Sequence, residues 1–357
     1  MELPELGTLK ASLTLARWLG PWAREASAPD GVERTVLAVR PDGARAAFDM
    51  SIYLPRGRGT TRTILVAPGL QPAGPDDPRV DRFCRVLAAS GAAVAAPFIP
   101  DFVSLRLTPA AVDDFARAFD AVRSTALAPP EQPPILFSIS FGSLLALRLA
   151  AARPAQQIAR LVLFGGYADL ADAIGFCLGG AGGRAPHDPL NRPVVFINLV
   201  EHLDGARGHE AELTATWRRY VEATWGRPEM KERARWEPIA RAFAAGLAPP
   251  ARRLFLAGCG AGPGGESIAR AALARLDTRF LDPRPHLSRV RCPVDVVHGV
   301  DDDVIPYRQA EILASGIPGA RLHATGLYGH TGRSRVSPFA LARELTTLAR
   351  LLALLSK

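Results

Sequence analysis

Between Thr61 and Asp169 short apolar runs alternate with helical periods, and this alternation constrains the fold more than any other feature. TRTILVAPGL (61–70), AAVAAPFIP (92–100), PPILFSIS (133–140) and ARLVLFGGYAD (159–169) each read as a strand. Between them lie the helical stretches DPRVDRFCRVLAASG (77–91), TPAAVDDFARAFDAVRS (108–124) and FGSLLALRLAAARP (141–154). Thr108 is placed to cap the second, with Pro109 in its first turn. Strands apolar on both faces, separated by helices of about 12 to 15 residues, describe right-handed parallel βαβ units. The expected class is α/β, a mostly parallel doubly wound sheet flanked by helices. Upstream, residues 34–40, a Pro-Asp-Gly turn and residues 44–54 read as a β-hairpin.

The period breaks from about Ala168 to Pro285. A glycine-rich stretch (175–184) is followed by helical segments carrying Trp217, Trp225 and Trp236, and then by RRLFLAGCG, read as a strand ending near Gly258. The strand period returns at RCPVDVVHGV (291–300). EILASG (311–316) is expected to be helical, ARLHATG (320–326) a strand, and residues 337–355 a final amphipathic helix. Because the sheet resumes, 168–285 is read as an inserted, mainly helical cap over the carboxyl edge of the sheet, where such folds bind ligands. A second independent domain is the alternative. The expected organisation is an N-terminal helical extension (1–33), a core (34–167 and 286–357) and the insertion (168–285).

Composition narrows the classes. A chain of 357 residues, 48% hydrophobic, can bury a large core. The formal charge of +8 comes from dispersed arginines, only Lys10, Lys231 and Lys357 being lysine, and no basic stripe suggests a nucleic-acid partner. Cys84, Cys177, Cys259 and Cys292 form no C-x-x-C pair, so neither a zinc site nor a disulfide scaffold is expected. The acidic start lacks the features of a secretory signal, and no apolar run is long enough to span a bilayer. A cytoplasmic location is the expectation. Leu9, Leu13, Trp18 and Leu19 make an amphipathic stripe that packs on the protein itself or touches lipid.

The sharpest local signal is Ser138-Ile139-Ser140-Phe141-Gly142, between an apolar strand and an apolar helix. A serine on such a turn is exposed as a nucleophile, provided that the positions two before and two after are small. The alternative is an ordinary helix cap. Ser267, in GESIA (265–269), also opens a helix, but a glycine-rich stretch separates it from any strand, so it reads as a cap. A serine hydroxyl needs a base within hydrogen-bond reach. Of the seven histidines, His330 stands in a loop between the last strand and the last helix, whereas His298 ends a strand and reads as structural. The carboxylate that orients the base is sought in Asp301-Asp302-Asp303, since only one of the three can face an imidazole.

Together these residues resemble the α/β-hydrolase superfamily over residues 34–357 apart from the insertion. The family order of nucleophile, acid and histidine is matched by Ser140, Asp302 and His330, and its H-G-x-x-D-x-x-V/I-P acid loop counts from His298 to Asp302, with Ile305-Pro306 in register. The resemblance implies an oxyanion hole built from the backbone N–H of Phe141 and one from the loop after the third strand. That loop often begins His-Gly; here it is Pro68-Gly69-Leu70-Gln71, and Leu70 is the candidate. An Asp at 140 would resemble dehalogenases and a Cys polyester synthases, while Ser143 departs from the glycine usual in peptidases. The implied activity is cleavage of a carboxylic ester or thioester of a small molecule through an acyl-serine intermediate, with no cofactor or metal. An acyltransferase, or a non-catalytic binding protein on the same scaffold, is the alternative.

Overall fold

A computed structural model describes residues 6–333, apart from 21, 22, 25, 44, 58, 126, 128–130, 180–182, 184, 185, 327, 330 and 331. The chain runs through α1 (Leu6–Leu19), β1 (Val32–Val39), β2 (Phe48–Pro55), β3 (Arg62–Ala67), α2 (Pro78–Ala89) and β4 (Ala92–Pro97). It continues through α3 (Pro100–Val103), α4 (Pro109–Arg123), β5 (Ile135–Ile139), α5 (Gly142–Ala152) and β6 (Arg160–Phe164). Seven helices follow: α6 (Leu170–Cys177), α7 (Arg192–Leu199), α8 (Glu210–Thr224), α9 (Arg233–Ala244), α10 (Pro249–Gly258), α11 (Gly265–Leu273) and α12 (Arg284–Leu287). The sheet then resumes with β7 (Val294–Gly299), α13 (Arg308–Gly316) and β8 (Arg321–Thr325). The expected final helix, 337–355, lies outside the described residues.

The eight strands lie in the order β1-β2-β4-β3-β5-β6-β7-β8. β1 and β2 form the expected hairpin, in register from Val32↔Pro55 to Val39↔Phe48, with Gly43 supplying φ +55 at its turn. β2 runs antiparallel to β4, and every pair from β4 onward is parallel. Residues of β3 alternate between two cores. Ile64 and Val66 pack with Leu15 of α1 and Val86 and Leu87 of α2; Leu65 and Ala67 face Phe115 and Phe119 of α4 and Leu145 of α5. Apolar side chains on both faces make the sheet a buried middle layer, which is why its strands read as unbroken apolar runs. Thr108 caps α4 by accepting the Ala111 N–H. In α1, Leu15 is buried against the sheet layer while Leu13 is exposed.

Helices α6 to α11 build a third core around Trp217, Phe196, Tyr220 and Phe255, joined by Leu144, Val304 and Ile305 from the sheet layer, whereas Leu287 of α12 packs into the core shared with α4 and α5. Trp217 is fully buried and donates its indole N–H to the Phe255 carbonyl (3.2 Å), a structural tryptophan. One expectation fails. RRLFLAGCG is not a strand but the body of α10, which begins on Pro249-Pro250 and buries Ala251, Leu254, Phe255 and Gly258 at helical spacing. Among the described residues, no helix is long and apolar enough to cross a membrane.

At the amino end of β7 the buried Asp295 carboxylate joins three strands. It accepts from Arg160 of β6 (2.5 Å) and from Arg321 of β8 (2.9 Å from both Nε and Nη2), and lies 2.8 Å from Nε2 of His323. Burial pushes its pKa up, but these donors outweigh burial and hold it down at about 2. A depressed carboxylate contributes stability above its unfolded pKa and loses it as pH falls through the folded value. The expected contribution is about 2 kcal/mol, lost between roughly pH 4 and 2. Urea unfolding of the wild type and Asp295→Asn at pH 6 and pH 2.5 should show a clear stability deficit for the variant at pH 6 that narrows at pH 2.5. Equal deficits at both would refute the assignment.

Candidate active site

Ser140 sits between β5 and α5 with φ +54, in the left-handed region. For a residue with a side chain this costs about 1–3 kcal/mol, so neighbours must impose it. They do. The Ser140 N–H donates to the Phe164 carbonyl (2.9 Å), and the Ser140 carbonyl accepts the Ser143 N–H (3.0 Å). Gly142 passes so close to β3 that a Cβ there would lie 2.4 Å from both the Ala67 and Pro68 carbonyl oxygens. Ser138, two residues before, is fully buried and pairs with Ala67 on one side and Leu163 on the other. Packing therefore requires the glycine at 142, and the buried position 138 also holds a small residue. Ser140 itself is only 7% exposed.

The loop after β3 runs alongside. A Cβ on Gly69 would lie 3.5 Å from the Ser140 Cβ, so this loop borders the serine. The next residue is Leu70. Among the described residues, neither the Leu70 N–H nor the Phe141 N–H makes a hydrogen bond, although Gln71 N–H donates to the Phe102 carbonyl (3.3 Å) and Ser140 N–H is also engaged. The loop is held by the Gln71 side-chain amide, which donates to Asp77 Oδ2 (2.8 Å), and Asp77 in turn caps α2 through the Arg79 N–H (2.9 Å). The Phe141 ring packs on Tyr167 with centroids 5.0 Å apart.

The three carboxylates after β7 have different surroundings. Asp301 is exposed. Asp302 is 3% exposed; its Oδ1 accepts the N–H groups of Val304 (2.9 Å) and Ile305 (2.8 Å), closing the turn, and its Oδ2 lies 3.4 Å from Nε2 of His298. His298 is fully buried with Nε2 2.8 Å from the Ile305 carbonyl, in the structural place expected of it. Asp303 is not simply solvated, since its carboxylate pairs with Lys231 and its carbonyl accepts the Asp188 N–H (2.7 Å). Sequence reasoning missed both Lys231 and Asp188, which no local pattern connects to the turn.

His330 lies outside the described residues. The residues flanking it, Tyr328–Gly329 and Gly332–Arg333, pair as a short antiparallel ladder, and the first of these segments lies beside β7. The rival serine is disposed otherwise. Ser267 is exposed in the first turn of α11, with its Oγ donating to the Gly264 carbonyl (2.9 Å); a helix rather than a strand precedes it, and Gly264, not Ser267, is the cap. Among the described residues, no group of three or more His, Cys, Asp and Glu side chains is placed to hold a metal ion.

No family model matches the chain, and no curated protein matches it in sequence. Solved structures do. The 2,6-dihydroxy-pseudo-oxynicotine hydrolase is similar with a TM-score of 0.51 and 15% identity, over 91% of this chain and 67% of that one. The Pyrobaculum calidifontis esterase is similar with a TM-score of 0.48 and 16% identity, over 98% and 90%. At such identity a likeness speaks to architecture and not to substrate. The first of these likenesses shows an architecture that the eight-stranded, mostly parallel sheet with helices on its faces also has. The chain thus has the α/β-hydrolase fold.

Proposed function

We propose that the protein is a serine hydrolase that cleaves a carboxylic ester or thioester of a small molecule, with Ser140 as nucleophile, His330 as general base and Asp302 as the acid that orients it. The observation that carries this reading is Ser140 held at φ +54 beside two unengaged backbone donors, the N–H groups of Leu70 and Phe141. Strain of this kind persists at sites where geometry matters to chemistry. Unpaired donors bordering a nucleophile suit an oxyanion, for which each is worth about 2.7–4 kcal/mol of transition-state stabilisation.

In this reading, His330 accepts the Ser140 proton as Oγ bonds to the acyl carbon, and the carbonyl oxygen takes up negative charge facing Leu70 and Phe141. Collapse breaks the bond to the alcohol or thiol, which leaves with the proton from His330. Water then attacks the acyl-serine by the same steps in reverse. The side chains of Leu70 and Phe141 pack against the apolar core of the helical insertion, which supports residues 168–285 as a cap that shields the acyl group from water.

Ser140→Ala is expected to abolish hydrolysis of p-nitrophenyl esters and acyl thioesters while leaving the thermal transition near that of the wild type. A fluorophosphonate should label Ser140. Label on Ser267, or none, would overturn the assignment, and an acyl product formed only with an added acceptor would point to a transferase.

Asp302→Asn should lower turnover by roughly 10⁴, the cost of the equivalent change in a serine protease. Asp301→Asn, at an exposed position, should have little effect. Equal losses in the two variants would remove the basis for naming Asp302.

To take the serine proton, His330 must be neutral. The ratio kcat/KM should therefore fall as pH drops through a single ionisation around neutrality. His330→Ala should flatten that limb and leave a feeble residual rate, whereas His298→Ala should retain it with reduced stability. A limb that survives only in His330→Ala identifies the other histidine as the base.

A further inference from the structure

Three separate pieces of the helical insertion meet the backbone and side chains of residues 303 and 304. Cys177 at the end of α6 directs its Sγ to the Val304 carbonyl (3.3 Å). Asp188 donates its N–H to the Asp303 carbonyl (2.7 Å). Lys231, in the short turn Pro228–Lys231, places its ammonium between two carboxylates, 3.1 Å from Asp188 Oδ2 and in direct contact with Asp303 Oδ2. The pair is not a loose surface bridge. The Asp188 side chain is 3% exposed, and those of Asp303 and Lys231 are 20% and 30% exposed. Burial pulls the Lys231 pKa down, but the attraction of Asp188 and Asp303 outweighs it and keeps the group charged.

The same segment reaches the other side of the site. Gly226 lies against the Arg79 guanidinium, whose central carbon would be 3.6 Å from a Cβ at position 226. Arg79 is bound to Asp77, and Asp77 holds Gln71, the residue after Leu70. Residues 226–231 therefore run from the anchor of the Leu70 loop to the turn that carries Asp302. The choice of residue is informative in a chain whose basic side chains are otherwise nearly all arginine. An ammonium is a compact point charge that fits between two carboxylates, where a planar guanidinium would engage one of them edge-on.

We propose that Lys231 is a positioning residue, whose ammonium, clamped between Asp188 and Asp303, fixes the turn that presents Asp302. This rests on the reading of Asp302 as the acid of a Ser140 triad. Removing the ammonium takes away the positive charge that lies between the Asp188 and Asp303 carboxylates. Their repulsion displaces Asp303 and with it the neighbouring Asp302, whereas Ser140 and the Leu70 loop, on other elements, keep their own hydrogen bonds.

The test uses the full chain and normalises every rate to sites titrated with a fluorophosphonate, so that misfolded protein does not count. Lys231→Met and Asp303→Asn should each lower kcat per titrated site by about ten- to a hundredfold with KM within about twofold, the scale expected when a reacting group is misplaced by about an ångström. The double variant should be no worse than either single one, since both remove one interaction. Lys231→Arg, which keeps the charge but engages one carboxylate edge-on, should recover only part of the loss and fall between the wild type and Lys231→Met. Additive losses, a rise in KM alone, or normal kcat per site in Lys231→Met would overturn the proposal. Failure of the wild type to label at Ser140 would instead overturn the reading on which it rests.

Discussion

Between Ile139 and Gly142 the chain reverses from strand to helix while passing the end of β3, and the close contact of Gly142 with the Ala67 and Pro68 carbonyls governs what surrounds it. With no side chain at 142, α5 starts hard against the sheet, and Ser140, two residues before it, takes the left-handed conformation of the turn. Everything else in the candidate site is referred to that contact. β3 ends there, so the loop that follows it begins beside Ser140; β6 ends alongside and its Phe164 carbonyl holds the Ser140 N–H. The order of strands matters here, because β3 has β4 on one side and β5 on the other. β3 leads on to β4 on one side and β5 to β6 on the other, so the exits of β3 and β5 mark the switch point at which such sheets bind ligands.

The helical insertion is fastened to this frame at both of its ends. Gln309 of α13 is fully buried and accepts the N–H groups of Ala168 (2.9 Å) and Asp169 (2.7 Å) where the insertion begins. Where it ends, Arg284 pairs with Asp169 (2.7 Å) and the Leu281 carbonyl accepts the Tyr167 hydroxyl (2.7 Å). Departing and returning segments are thus bound to each other as well as to the sheet layer. A shared apolar core extends the attachment, since Leu144, Val304 and Ile305 belong to the same cluster as Trp217 and Phe255. The insertion and the loops that border Ser140 form one packed body.

How much of this could be read from residues alone depended on the range of the interactions. The strands of the sheet were legible because burial on both faces leaves its mark on every position, and the hairpin and the Thr108 cap because their chemistry is local. The small residues around Ser140 were legible for the same reason. Counting from His298 picked out Asp302, the one carboxylate of three that the structure buries, because the spacing of a tight turn is fixed by a few backbone bonds. The segment 252–260 was misread because a short apolar run carries no period of its own; only Pro249-Pro250 and the burial of Ala251 with Leu254 and Phe255 reveal the helix. Lys231 was invisible, for it meets Asp303 at a sequence separation of 72. Ion pairs of that kind leave no trace in spacing.

The position of the insertion along the chain also sets an order of assembly. β1 to β6 with their helices, including Ser140 and the Leu70 loop, are contiguous in sequence and close through short connections. β7 joins β6 only after the helical insertion, so the turn bearing Asp302 is brought to the sheet by a far longer closure than any other pairing in it. Loop-closure entropy grows only slowly with length, by about 0.6 kcal/mol per doubling, so the delay costs little stability but weighs on rate. On that ground the Ser140 end of the sheet is expected to form before the turn bearing Asp302 docks. During synthesis six of the eight strands leave the ribosome with one edge, that of β6, still unpaired. That strand, apolar and exposed until residues 294–299 arrive, is the segment through which a stalled or truncated chain would associate with another.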